Sequence, residues 1–171
     1  MKLQICGAAQ TVTGSCHFLT LENGYKKLLD CGLYQGHEDA FEDFNHQWLF
    51  EPSEIDVLIL SHAHIDHCGR IPKLVKDGFK GKIFCTSATR DLVAIMLLDS
   101  AHIQESDAEY ETRKFKKSIK PLYTQLDAKN CLKYFRSVEY DNWFSINGNT
   151  KVLFSDAGHI LGSATVTLKI T

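Results

Sequence analysis

The sequence predicts an α/β layered fold, and three observations carry that prediction. A short apolar run, Asp56-Val57-Leu58-Ile59-Leu60, is followed at residues 71–78 by a helix-like pattern that closes on Gly78. A second strand-like run at 82–86 is again followed by helical spacing, at Leu92, Val93, Met96 and Leu97. This strand-helix-strand-helix order is what helices packed on a sheet produce. Third, Asn23-Gly24 and Asn147-Gly148 are two-residue hairpin signals, so antiparallel strands are expected towards both ends. The 171 residues are enough for one domain with its own core. The expectation is mainly one sheet with helices on one face.

Taken in order, residues 2–6 and 15–22 read as strands around a small-residue loop at 7–14, and 25–30 return from the Asn23-Gly24 turn. Asp30-Cys31-Gly32 ends that strand. Helical spacing at Phe41, Phe44 and Trp48 predicts a helix within 38–49, broken by Glu51-Pro52-Ser53. His37 and His46 in this region read as surface histidines. After the strand at 82–86, Ser87 is a candidate cap for a long helix. Beyond Ile103 an acidic block (Glu105, Asp107, Glu109, Glu111) meets a basic one (Arg113, Lys114, Lys116, Lys117, Lys120). A solvated helix face or a loop accounts for it, and a basic lip for a phosphate backbone is the functional alternative. His102, on the helix before it, reads as structural. Thr124-x-x-Asp127 resembles a capping box ahead of a helix with Leu126, Cys131, Leu132 and Phe135 as its apolar contacts. Residues 140–146 and 150–154 read as a hairpin. Residues 163–170 form a last alternating strand with Ala164, Val166, Leu168 and Ile170 on one face.

Composition excludes some classes. Hydrophobic residues make up 44% and charged residues 23%, which suits a globular domain, and the net charge of −2 gives no basic nucleic-acid footprint. No run approaches a membrane span, so no membrane partner is expected. The six cysteines, Cys6, Cys16, Cys31, Cys68, Cys85 and Cys131, form no C-x-x-C pair and lie mostly in apolar runs. They are expected to be reduced and buried, in a cytoplasmic protein. Cys68 reads as a packing residue, with a role beside a ligand as the alternative.

The chemistry concentrates in Ser61-His62-Ala63-His64-Ile65-Asp66-His67-Cys68-Gly69-Arg70. Four potential metal ligands, His62, His64, Asp66 and His67, fall within six positions between a buried strand and a helix. In an extended loop, residues two apart point the same way, so His62 and His64 can hold one ion. Asp66 and His67 come where the chain turns into a helix and suit a second ion. Imidazole and carboxylate together suit zinc, with manganese or iron as alternatives. A polar loop that happens to be rich in histidine is the bland alternative. Three of eight histidines in a six-residue window argue against it.

H-x-H-x-D-H resembles the signature of the metallo-β-lactamase fold. A second stretch, Asp156-Ala157-Gly158-His159-Ile160-Leu161-Gly162-Ser163-Ala164, together with Gly14-Ser15 and residues 61–72, is similar to the β-CASP branch of RNA-processing nucleases. The resemblance implies the N-terminal half of an αββα sandwich, with residues 1–171 as the first part of a metallo-β-lactamase domain and the β-CASP cap beyond it. It puts His62, His64 and His159 on one metal and Asp66 and His67 on the other, two zinc ions in the whole enzyme. It gives Asp66 a catalytic part in holding a metal-activated hydroxide. Asp30 becomes a support for the metal loop, with a turn cap as the alternative. Gly162 and Ser163 could meet a substrate phosphate, with a tight turn as the equal alternative. The implied activity is zinc-dependent phosphodiester hydrolysis, a ribonuclease acting on single-stranded RNA. A small-molecule ester or thioester hydrolase of the same fold and a non-catalytic scaffold subunit are the other classes. The family's bridging aspartate and last metal histidine have no counterpart among these residues, so this chain alone is expected to be inactive, and a homo-oligomer is possible through apolar surface it exposes.

Overall fold

A computed structural model describes residues 1–36 and 42–171. Six strands form the larger sheet: β1 (Lys2–Ile5), β2 (His17–Thr20), β3 (Lys26–Leu29), β4 (Val57–Ile59), β5 (Lys82–Thr86) and β6 (Phe135–Val138), in that spatial order. β1, β2 and β3 pair antiparallel, and β3 to β6 pair parallel. The turn at Asn23-Gly24 is as expected: Gly24 lies at φ 83° and its N–H donates to the Leu21 carbonyl at 3.0 Å.

The helices are α1 (Glu42–His46), α2 (Ile65–Cys68), α3 (Ile71–Lys76), α4 (Ser87–Phe115) and α5 (Gln125–Cys131). α3, α4 and α5 share one core with the sheet, built from Leu28, Leu58, Leu60, Leu74, Ile83, Val93, Leu97 and Tyr123. α4 buries Thr89, Val93, Leu97 and Ala101, one residue per turn, so a single stripe of it faces the sheet.

The other face of the sheet is covered by a second one, which departs from the expectation of mainly one sheet. β7 (Phe144–Asn147), β8 (Thr150–Asp156) and β9 (Ala164–Ile170) form an antiparallel three-stranded sheet. Its Val152, Phe154 and Ala164 pack with Ile59 of β4, and Phe84 of β5 meets Phe144 with ring centroids 5.2 Å apart. Two covered faces explain why residues 56–60 read as an unbroken apolar run: Leu58 and Leu60 point to the helices and Ile59 to the small sheet. Each such side chain contributes about 1.5–3 kcal/mol by its burial. The histidine-rich loop that follows therefore starts from a firmly held strand. Buried Lys27 of β3 also bridges the two sheets, donating to Thr150 Oγ1 of β8.

Local corrections follow from tertiary contacts. Phe135 belongs to β6, not to the preceding helix, because α5 ends at Cys131 and a 3-10 turn, Leu132–Tyr134, leads into the strand. The cap of α4 is Thr86, whose hydroxyl accepts from Thr89 N–H, not Ser87. The stretch beyond Ile103 is helical to Phe115, the solvated-face alternative. Thr124 and Asp127 do form the capping box. The helix expected within 38–49 is found at Glu42–His46, with Trp48 beyond its end, while His37 and Phe41 lie outside the described residues.

Candidate metal centre

β3, β4 and β5 run parallel, so Asp30, residues 60–64 and Thr86 all emerge at the same edge of the sheet. Ligands gather at such carboxyl ends in α/β sheets. Past Ile59 the chain stays extended to His64, which precedes the single turn of α2. His67 N–H and Cys68 N–H both donate to the His64 carbonyl, at 2.9 and 3.0 Å. This turn swings Asp66 and His67 away from the line of His62 and His64, yet keeps the rings of His62 and His67 within 4.0 Å. Cys68 is fully buried behind the turn with its thiol on the Ala63 carbonyl, a packing role.

The segment after β3 is laid against α2 backbone to backbone. Cys31 N–H donates to the His67 carbonyl and Leu33 N–H to the Ile65 carbonyl, at 2.8 and 3.0 Å. Between them only glycine fits: a Cβ on Gly32 would stand 1.6 Å from the Asp66 carbonyl oxygen. That close approach brings Asp30, 7% exposed and at φ 59°, under the histidines.

The Asp30 carboxylate holds two histidines at once. Oδ1 accepts from Ser61 N–H at 2.8 Å. Oδ2 accepts from Ser61 Oγ at 2.9 Å, Ser15 Oγ at 3.3 Å and His67 Nδ1 at 2.8 Å. The one hydroxyl proton of Ser61 is thereby committed to Asp30. Ser61 Oγ, 2.9 Å from His62 Nδ1, must then accept from that ring. In their neutral form both His62 and His67 carry the proton on Nδ1, which leaves Nε2 as the ligating nitrogen. A carboxylate behind an imidazole fixes its tautomer in this way. Ser61 is the member that the sequence did not single out.

His159 arrives from the other sheet, on the turn between β8 and β9. The turn is tied inward, with Ala164 N–H donating to the Ser61 carbonyl at 2.9 Å and His159 N–H to Ser163 Oγ at 3.2 Å. His62, His64 and His159 each offer a ring nitrogen, all within 4.8 Å of one another. His159 Nε2 stands 3.1 Å from His64 Nδ1, and His67 Nε2 stands 3.5 Å from Asp66 Oδ2. Donors about 2.0–2.1 Å from one tetrahedral zinc are roughly 3.3 Å apart, so both spacings fit a shared ion. Burial, and then the neighbouring His67, push His62 down to about 4, so its ring is neutral near pH 7, the form that binds metal. Burial would also lower His67, but the hydrogen bond and charge of Asp30, with Asp66, outweigh it and hold that ring above its ordinary value.

Residues 10–104 match the family described as the metallo-beta-lactamase superfamily, a span that contains Asp30 and all of H-x-H-x-D-H. The chain belongs to that superfamily. Membership implies a metal, and the donor set above fits one. Ribonuclease TTHA0252 of Thermus thermophilus is 38% identical over 97% of this chain and 34% of its own length. Transcription termination factor FttA of Methanocaldococcus jannaschii is 32% identical over 99% of the chain and 25% of its own length. Cleavage and polyadenylation specificity factor 73 of Drosophila melanogaster is 32% identical over 99% and 23%. The chain thus spans about a third or less of these curated relatives. A solved Cronobacter sakazakii metallo-beta-lactamase with a HARLDQ motif, mutant S60, superposes with a TM-score of 0.54 at 17% identity, over 97% of this chain and 54% of its own. That likeness shows the fold.

Other candidate residues lie differently. Ser163 is 1% exposed, its hydroxyl accepts from His159 N–H and its own N–H donates to the Ile160 carbonyl at 2.9 Å, so it is built into the turn that Gly162 shares. His46 and His102 are exposed and outside the histidine group. Arg113 and Lys114 lie in the last turn of α4, roughly 40 Å of helix from the Thr86 end beside the His159 turn. Lys114 sits over the rings of Tyr110 and Phe115 of its own helix.

Proposed function

We propose that this chain carries the metal-binding part of a β-CASP-type nuclease that hydrolyses phosphodiester bonds of single-stranded RNA. The observation that carries the reading is the convergence of His62, His64 and His159 from two sheets, with Asp66 and His67 alongside. The names of the relatives, a ribonuclease and a cleavage factor among them, support RNA as substrate over a small ester or thioester. A scaffold subunit has no use for so complete a donor set.

His62 Nε2, His64 Nδ1 and His159 Nε2 would hold one zinc ion, and Asp66 Oδ2 and His67 Nε2 would contribute to a second position. Zinc bound there supplies Lewis-acid polarisation of a phosphoryl oxygen and a water that loses its proton near neutral pH. The remaining work falls to protein groups. Asp30 and Ser61 keep the protons of His62 and His67 on Nδ1, so that Nε2 lone pairs face the substrate side. Asp66, with its carboxylate partly exposed, accepts a hydrogen bond from the attacking water and holds it in line with phosphorus. Within this chain the second position has two donors, so a second ion is held weakly and the chain alone cleaves no RNA. Its six buried thiols suit a reducing, cytoplasmic setting. Leu3 and Ile5 on the edge strand β1 are exposed, and self-association through them is the proposed source of any homo-oligomer.

Zinc content of purified protein, beside the His62→Ala variant, tests the site. About one zinc per chain, lost in the variant, is expected. Equal zinc in both rejects the histidine site. Joined to whatever further chain completes the second metal position, this chain is expected to give metal-dependent cleavage of single-stranded RNA, and turnover of a small ester in its place moves the assignment to the other hydrolase class.

A further inference from the structure

Of the three histidines, Asp30 supports His62, through Ser61, and His159 lies on the other sheet. It is exposed, on a turn between β8 and β9, and belongs to a sheet separate from the strand that carries His62 and His64. Something must set the turn against the larger sheet, since small misplacements of a ligand weaken a metal site. The polar groups facing this turn show what does.

Thr86 ends β5 and caps α4, and Thr89 lies in the first turn of that helix. Both are buried, at 4% and 0% exposure. Their hydroxyls stand 2.7 and 2.8 Å from one acceptor, the carbonyl oxygen of Gly162, three residues past His159. Thr86 Oγ1 accepts from Thr89 N–H at 3.2 Å as the helix cap, and its own proton is shared between that carbonyl and Thr89 Oγ1, 3.0 Å away. Two hydroxyls, themselves linked, thus converge on one carbonyl, which has two lone pairs to accept with. The close approach demands glycine. A Cβ on Gly162 would lie 2.5 Å from Thr89 N and 2.8 Å from both hydroxyl oxygens, and φ is +83°. On the next residue, the Tyr140 hydroxyl donates to the Ser163 carbonyl at 2.8 Å. Three buried or half-buried hydroxyls thus grip two successive carbonyls of the turn.

We infer that Thr86 and Thr89 are positioning residues for His159: their paired hydroxyls hold the Gly162 carbonyl and so fix the third donor against His62 and His64. The inference rests on the zinc-site reading above. Neither threonine touches a donor atom. They act on geometry, through the backbone of the turn. Serine keeps the hydroxyl and serves as the conservative replacement. Valine keeps the shape and removes both hydroxyls, leaving the half-buried Gly162 carbonyl without its two donors and Thr89 N–H without its cap, whereas serine keeps all three bonds.

The test measures zinc affinity by competition with a chromophoric chelator, for wild type, Thr86→Val/Thr89→Val, Thr86→Ser/Thr89→Ser, and His159→Ala. Supporting groups around metal ligands are typically worth roughly 10–100-fold in affinity. One step further out, the valine pair is expected to weaken zinc by about tenfold, with the serine pair close to wild type. A histidine-selective NMR spectrum of the zinc-free valine protein should show the His159 ring signals broadened or moved while those of His67 stay in place. Tyr140→Phe, which removes one hydroxyl and keeps the Thr86 cap of helix α4, serves if the valine pair fails to fold, and a twofold to fivefold loss is expected of it. Valine and phenylalanine variants that bind zinc as wild type does, with unchanged His159 signals, overturn the inference. Wild type and His159→Ala binding zinc equally would instead remove the site reading on which it rests.

Discussion

Replacing Asp30 with asparagine separates folding from metal binding, because the two depend on different properties of the same side chain. The carboxylate accepts from Ser61 N–H, Ser61 Oγ, Ser15 Oγ and His67 Nδ1 while 7% exposed. Asparagine fills the same space but has one acceptor oxygen and an NH2 group. With its oxygen kept on Ser61 N–H, the NH2 faces two hydroxyls and the His67 ring. The hydroxyls can rotate to accept. His67 can accept only by giving up the Nδ1 proton, which moves the hydrogen to Nε2. Most hydrogen bonds survive in neutral form, so the stability loss is that of charge assistance, about 2 kcal/mol in total. The loss at the metal site is larger in effect, since a protonated Nε2 cannot ligate. Two-bond 1H–15N spectra of the zinc-free protein report the tautomer directly, and urea unfolding reports the stability. The expected result is an Nε2–H tautomer at His67, loss of metal at the Asp66/His67 position, and zinc affinity at His62 lowered through the disturbed Ser61 link. His67 retaining its Nδ1 proton in Asp30→Asn would refute the reasoning. Asp30→Ala, which leaves Ser61 N–H and the ring without an acceptor, should cost about 4 kcal/mol.

Gly162→Ala should destabilise by about 2–3 kcal/mol, through φ +83° and a Cβ 2.5 Å from Thr89 N, and a thermal midpoint close to wild type would disprove the close approach. In a protein that shows the proposed RNA cleavage, Asp66→Ala should abolish it with little change in stability, because the partly exposed carboxylate is paired with His67 Nε2 at the site, and retained turnover on single-stranded RNA would reject its role. Stability should fall as pH rises above 9. Burial pushes the Cys85 and Cys131 thiols up to about 12, and Cys68 is raised for the same reason. Hydrogen bonding of the Cys6 thiol to Cys16 and of the Cys16 thiol to Cys31 comes first in raising Cys6 and Cys16 too, with burial adding to both. A group whose folded value is raised stabilises fully below its unfolded value and loses that contribution as pH climbs towards the folded one, here from 9.0 towards 12. Each such thiol loses about 1.4 kcal/mol per pH unit in that window. Lys27, lowered by burial to about 8, works the other way between 8 and 10.5, but one lysine is outweighed by five thiols. Urea midpoints from pH 8 to 11 check this, and a flat profile would contradict the thiol burial.

The ligand loop was legible because its signal is local. A buried strand, four donors in six positions and a helix start are adjacent in sequence, and alternation in an extended chain already pairs His62 with His64. The hairpin at Asn23-Gly24 and the capping box at Thr124 are local for the same reason. Asp30 could be suspected at a strand end, yet its reach to both His62 and His67 exists only once β3 and β4 pair in register, Leu29 opposite Ile59. His159 was singled out by its motif, while its turn is gripped by hydroxyls from the end of β5, the start of α4 and Tyr140, the threonines lying more than seventy residues before Gly162 in the chain. Threonines at a strand-to-helix junction carry no pattern that names a partner so far away.

By itself the sequence determined which residues could bind metal and which runs form strands and helices, since periodicity, turn residues and donor spacing are properties of neighbours. Tertiary structure decided that the last three strands leave the main sheet and close over its second face. Both edge pairing and face packing satisfy an alternating strand such as Ala164–Ile170, and the choice falls to long-range burial of Ile59, Phe84 and Phe154 between the sheets. That same choice carries His159 across to His62 and His64, so the site is complete only when the two sheets are packed together.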